Sequence, residues 1–346
     1  MKKMIIAAFV LSLISFFTWA QNSDGLLRDG HPDEYTVKKG DTLWDISNTF
    51  LNTPWMWPEI WHVNPQIENP HLIYPGDLIR LVYLDGRPRL TLERTVKLAP
   101  GDGKLSPSVR VLPNEDAIPA IPLDRIDSFL SRSRILEAGV LEAAPYMLAG
   151  PEKRVIVGAG DSAYARGEFT EGLKNYGVYR KEKNYQDPVT KEFLGVHALS
   201  IGSLSVQSTK ADVATVKVIR TTEEIRMGDR LLPNEERAVE SIFYPSAPDS
   251  NIEGVILDVE GGVSQVGKMN VVMINRGDRE GLLTGNVLAI YKQGELVRDR
   301  VTNELVQLPD ERAGLLMIFR TFEKMSFGLV LEADRPLSVN DKVRNP

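Results

Sequence analysis

The chain has 346 residues, 42% hydrophobic and 25% charged, the makeup of an ordinary globular protein of two or three folded units. Its formal net charge of −6 supplies no basic field that would gather nucleic acid or an anionic membrane. It has no cysteine, so disulfides, thiolate catalysis and a cysteine-linked lipid anchor are all excluded, and each unit must be held by its own apolar core.

The N-terminus reads as an export signal. Lys2 and Lys3 precede an apolar stretch from Met4 to Trp19, and Thr18-Trp19-Ala20 places small residues where a signal peptidase cuts. A signal peptide over 1–20 with Gln21 as the mature start is the expectation, and an uncleaved anchor is the alternative. No later segment is long and apolar enough to span a bilayer. The mature chain is placed in the periplasm, where cysteine-free proteins are common.

The next stretch reads as strand, turn, helix. Tyr35, Thr36 and Val37 are strand formers, Gly40 supplies a turn, and Asp41 or Thr42 can cap a helix. Leu43, Ile46 and Phe50 fall on one helical face. A second short helix is expected to open at Pro58, carry Ile60, Trp61 and Val63, and end near Asn64-Pro65. Asn69-Pro70 and Tyr74-Pro75-Gly76-Asp77 turn the chain into a closing strand, Leu78 to Val82. Trp44, Trp55, Trp57 and Trp61 suggest a carbohydrate platform, but Trp57 and Trp61 at i, i+4 fit a core better, and one of the four is expected to touch sugar.

The order βααβ, with YTVKKGDTLWDIS at its front, NP after the second helix and LIYPGDLIRL at its end, resembles the LysM family across 35–82. The loop NTPWMW between the helices departs from the family by being longer and more aromatic. The resemblance implies binding of N-acetylglucosamine-containing glycan, as in peptidoglycan, in a groove between two loops. Carried over by position, one loop is Gly40, Asp41, Thr42 and Leu43; the other is Asn64, Pro65, Gln66 and Ile67, with Tyr74 beside them. Main-chain groups in such turns suit acetamido groups, and Ile67 suits an apolar sugar face. Structural roles for Gly40, as a turn, and for Asp41 or Thr42, as caps, stand alongside.

Residues 83–145 read as a linker. Pro88, Pro100, Pro107, Pro113, Pro119 and Pro122 punctuate it, Leu90 to Leu98 alternates loosely as one possible strand, and a helix is expected over 123–138 from Leu123, Ile126, Leu130 and Ile135. Packing of this helix on the next domain and docking of a partner are both open readings.

The C-terminal half repeats. A gapless offset of 112 residues aligns Tyr179-Arg180 with Tyr291-Lys292, Val189-Thr190 with Val301-Thr302, Gly202 with Gly314, and Asp229-Arg230 with Asp341-Lys342. A period this long implies two similar domains, 146–234 and 252–346, each a small antiparallel β unit closed like a barrel. The expected class is therefore α+β multidomain: a βααβ module, a linker with one helix, and two duplicated β domains. More weakly, this half resembles the C-terminal region of the flagellar assembly protein T, and the whole layout resembles the LysM proteins associated with the type IV pilus secretin. That resemblance implies docking on an outer-membrane secretin ring.

No enzyme is expected. One histidine outside the first module and its approach, His197, cannot build a zinc peptidase site, and no serine sits in a nucleophile elbow. The Gly158-Ala159-Gly160 run lacks the third glycine of a phosphate loop. No metal or cofactor is expected. Two rivals to a secretin-docking adaptor remain: a general wall-binding protein, and a wall hydrolase targeted by the module.

Overall fold

The computed structural model describes residues 25–61, 73–93, 119–122, 126, 129–130, 132–234, 243–259 and 265–346. The 1–20 segment and the loop Asn64, Pro65, Gln66 and Ile67 lie outside these residues.

The first module is a three-stranded antiparallel sheet with two helices. Strand β1 (Glu34–Thr36) pairs with β2 (Leu78–Leu84), and β2 pairs along its whole length with β3 (Arg87–Glu93). Helix α1 (Leu43–Phe50) and the short α2 (Trp57–Ile60) cover the sheet, with a 3-10 turn at Pro54–Met56 between them. The core is Val37, Leu43, Ile46, Phe50, Trp57, Ile60, Ile73, Ile79 and Leu90. Two expectations are corrected. The second helix starts one residue before Pro58 and closes at Ile60, since Trp61 is extended and bridges to Leu90. And 87–93 belongs to the module: the Asp85-Gly86 turn, with both residues at positive φ, folds β3 back onto β2, so Leu90 buries into the module core.

The expected helix over 123–138 is also corrected. Residues 126, 129, 130 and 132 are helical, but Ser133–Leu136 is a strand, β4, with Ile135 opposite His197, and Gly139 at φ 83° leads into a separate short helix, α3 (Val140–Ala143). The apolar spacing continues through Ile135, but the pairing partner there is a strand edge, and pairing overrides a helical pattern this short.

Two barrels follow: a seven-stranded sheet in which six strands close a circuit and β4 is the seventh strand, and a closed six-stranded barrel. In the first, β5 (Tyr146–Ala149), β7 (Ser162–Arg166), β10 (Val213–Thr221), β9 (Phe193–Lys210), β8 (Asn175–Gln186) and β12 (Arg230–Pro233) pair in a closed circuit, with a two-stranded flap of β6 (Ile156–Val157) and β11 (Ile225–Arg226). In the second the circuit is β13 (Glu253–Val259), β15 (Val271–Ile274), β20 (Ser326–Ala333), β19 (Glu311–Thr321), β16 (Val287–Lys292) and β22 (Lys342–Arg344), with β14 (Gln265–Val266) and β21 (Leu337–Ser338) as the flap. The circuits are the same, strand for strand. Their registers agree too: Val178 faces Gly202 as Ile290 faces Gly314, and Tyr179 faces Arg230 as Tyr291 faces Lys342. The Gly158-Ala159-Gly160 run is the turn from flap to barrel, pinned by Asp161 accepting from Gly158 N–H, as Asn270 accepts from Gly267 N–H in the second barrel.

The second barrel is buried on both faces. Leu288, Ile290, Leu316, Ile318 and Val330 fill its interior, while Val287, Ala289, Leu315, Met317 and Phe319 join an outer cluster with Trp44, Ile121, Phe129, Tyr185 and Phe243. This is why β16, β19 and β20 read as continuous apolar runs rather than alternating ones.

The two hairpins that correspond across the barrels end differently. Each turn is built by an aspartate whose Oδ1 accepts from the residue two ahead, Asp187 from Val189 and Asp299 from Val301, with Lys191 and Asn303 both at φ 61°. The hairpin of β17 (Leu296–Arg298) and β18 (Leu305–Gln307) is exposed, Val301 at 92%. The β8–β9 turn is docked on the second barrel: Asn275 donates to Asp187 at 2.6 Å, and Glu192 pairs with Arg279 at 2.7 Å and Lys324 at 3.0 Å. Hydrogen bonds from Arg279 and then Lys324 hold the Glu192 carboxyl at about 2, against an ordinary 4.5. A depressed carboxylate stabilises the fold above its unfolded value and stops doing so as pH falls through its folded one. The Val189–Glu192 amides are therefore expected to lose hydrogen-exchange protection as pH falls from 4.5 to 2, and Glu192→Gln is expected to reduce that dependence without abolishing it, since Asp187, also held below the usual carboxylate range, accepts from the Val189 and Thr190 amides directly.

Candidate functional site

The first expected loop is fixed before any ligand arrives. Gly40 turns at φ 93°, a left-handed conformation that suits glycine. Asp41 is spent on the turn: its Oδ2 accepts from Lys38 N–H at 2.8 Å and from the Tyr35 hydroxyl at 2.9 Å. Burial, and after it the bond to Asp41, pushes the Tyr35 phenol up to about 12, so it stays a donor across the physiological range. Of the two candidate caps, Thr42 is the one used. It sits extended at φ −118°, accepts from Asp45 N–H at 3.1 Å, and donates back to Asp45 Oδ2 at 2.6 Å.

The Tyr74–Asp77 turn closes the other side. Asp77 accepts from Tyr74 N–H at 3.0 Å, Gly76 turns at φ 96°, and reciprocal bonds tie Val37 N–H to Asp77 O and Gly76 N–H to Val37 O. Tyr74 is thereby held beside the end of β1, where the first loop begins, and is half-buried. Gly40, Asp41, Thr42, Leu43 and Tyr74 thus share one end of the module, while the placement of Asn64, Pro65, Gln66 and Ile67 falls outside the described residues.

Asp41 and Thr42 already have their side chains engaged, so the loop presents main chain more than side chain. Thr42 and Leu43 are buried, and only Gly40 is well exposed. The tryptophans follow the core reading for the most part. Trp57 is buried and meets Trp61 edge-on at 6.4 Å between ring centroids; Trp44 is 3% exposed and packs outward, into the cluster on the second barrel. Trp55 and Trp61 keep partial exposure.

One feature of the site has no counterpart among the expected residues. The Leu43 and Trp44 N–H groups, at the opening of α1, donate to Pro119 O at 3.0 Å and Ala120 O at 3.2 Å. In the sequence Pro119 and Pro122 are no more than linker punctuation, and the apolar Ala120-Ile121 pair between them is the one local signal that the segment is seated.

Residues 35–82 match the LysM domain model. Over 60 residues the chain is 40% identical to "Uncharacterized protein YqbP" of Bacillus subtilis (strain 168), a similarity covering 14% of this chain and 27% of that protein. The similarity spans about a quarter of the length of that relative. No helix among the described residues is long and apolar enough to cross a membrane. Residues 35–82 are a LysM domain, a binding module whose presence supports attachment to peptidoglycan or a related glycan.

Proposed function

We propose that this is an exported, non-catalytic wall adaptor: the LysM module grips N-acetylglucosamine-containing glycan, and the two barrels dock on a multimeric partner of the secretin-ring type. The match of 35–82 to the LysM domain carries the first half. The glycan contacts assigned are the main chain of Gly40, Asp41, Thr42 and Leu43, with Asn64, Pro65, Gln66, Ile67 and Tyr74 opposite. The proposed location is the periplasm, after cleavage behind Ala20.

Support for the second half comes from the shared circuit and register of the two barrels. We take them to be two copies of one unit, and a closed barrel offers rigid hairpins and no free sheet edges, which suits a docking scaffold better than an active site. A single LysM grip is weak, and many copies arrayed on a ring would hold firmly through effective concentration.

Purified mature protein is expected to sediment with isolated sacculi and to be released by excess N-acetylglucosamine hexamer, with the emission of Trp55 or Trp61 shifting on binding. Sedimentation that the hexamer leaves untouched would place the wall contact elsewhere in the chain. Release of muropeptides from the sacculi would support the hydrolase rival instead. Recovery of a secretin with the full chain separates the adaptor from a general wall-binding protein.

A further inference from the structure

The opening turn of a helix carries main-chain N–H groups with no partner inside the helix. In α1 the Asp45 N–H is taken by Thr42 Oγ, while those of Leu43 and Trp44 are taken from 75 or more residues down the chain, by the carbonyls of Pro119 and Ala120. The contact is a seated one. Ala120 packs into the module core, and Ile121 is fully buried in the cluster that joins Trp44 to the second barrel. Pro119 and Pro122 have no N–H to satisfy, and their fixed φ favours an extended segment that presents carbonyls.

Leu43 belongs to the loop assigned to glycan. The acetamido carbonyl of N-acetylglucosamine and a peptide carbonyl are the same kind of acceptor, and an N–H already donating at 3.0 Å has no second strong bond to give. We infer that this end of the LysM module is also a binding site for an extended proline-flanked peptide, filled in cis by Pro119–Pro122, and that glycan and this segment compete for the Leu43 and Trp44 N–H groups. The inference rests on the glycan reading above. It makes wall binding conditional: the groove opens fully only when the segment leaves, and anything that loosens the module from the second barrel, including the binding of a partner there, favours its leaving. The intrinsic dissociation constant is then divided by the fraction of molecules with the segment released, so binding weakens as that fraction falls.

The test compares the full mature chain with Ile121→Asp, which unseats the segment without touching the LysM loops. Ile121→Ala serves as a second variant that keeps the pocket apolar. Two readouts are taken: affinity for the N-acetylglucosamine hexamer, and hydrogen-exchange protection of the Leu43 and Trp44 amides. Both variants are expected to bind the hexamer at least about tenfold tighter, and a synthetic peptide spanning 117–123, added in excess, is expected to return binding to the wild-type level. Without hexamer, the two amides are expected to be protected in the wild type and to exchange in the variants. Equal hexamer affinity in all three proteins overturns the competition while leaving the glycan reading intact. Absence of hexamer and sacculus binding in all three overturns the glycan reading and the competition with it.

Discussion

Replacing Arg320 with leucine is expected to lower the unfolding free energy by about 3 kcal/mol and the melting temperature of the transition that includes the second barrel by about 6–12 °C. Arg320 lies on β19 and is 9% exposed. Its guanidinium donates to the carbonyls of Phe129 at 2.7 Å, Leu130 at 3.2 Å and Ser133 at 2.5 Å, and stacks 5.0 Å from the Phe322 ring. Those carbonyls belong to the helical residues Phe129 and Leu130 and to Ser133, the first residue of β4, so one side chain joins the linker, the sheet of the first barrel and the second barrel. A helix end leaves carbonyls without intrahelical partners, and a cation there is the natural complement. Leucine would remove a buried charge, which offsets part of the loss, but would leave several carbonyls unsatisfied at about 1–3 kcal/mol each. One nitrogen, Nη1, makes all three bonds, so Arg320→Lys is expected to recover part of the loss through its ammonium, but not the stacking of a flat guanidinium on Phe322. A melting temperature unchanged in both variants would mean that the joint is held by Phe129 packing against Phe319 and Phe327 alone.

Residues that act through their neighbours in sequence were legible; those that act across the chain were not. The LysM module announced itself because its turns are local. Gly40, Asp41 and Thr42 build one loop from bonds no more than six residues long, and Tyr74, Gly76 and Asp77 build the other. The offset of 112 was legible because barrel strands keep their registers: Arg180 pairs with Asp229 as Lys292 pairs with Asp341. Helix 123–138 failed at Ser133 because the competing partner, β9, lies more than 60 residues away. Arg320 and the Pro119–Ala120 carbonyls were invisible for the same reason: nothing in a window around Arg320 tells of a helix end at Phe129, and nothing around Pro119 tells of unpaired amides at Leu43.

Gly202→Ala and Gly314→Ala are each expected to cost about 3 kcal/mol, and by similar amounts, because the two glycines occupy one position of one architecture. A Cβ on Gly202 would stand 2.3 Å from the Arg220 carbonyl oxygen, and a Cβ on Gly314 would stand 2.2 Å from that of Glu332. Both clashes are with main chain at bulged stretches of the pairings, β9 with β10 and β19 with β20, where the register slips between Val218 and Arg220 and between Leu315 and Leu316. Bulges and interior glycines of this kind are where long strands bend to close a barrel. Relief would require breaking ladder hydrogen bonds, since a carbonyl cannot rotate away as a side chain can. Gly328 provides the control. A Cβ there meets Leu316 Cδ1 at 2.8 Å, the far end of a side chain with other rotamers to adopt, so Gly328→Ala is expected to cost about 1 kcal/mol. Chemical unfolding of the three variants reads the contrast directly. If Gly202→Ala and Gly314→Ala behave like Gly328→Ala, the bulges yield and the barrels do not depend on them; if only one of the pair is costly, the shared circuit conceals a difference in how each barrel closes.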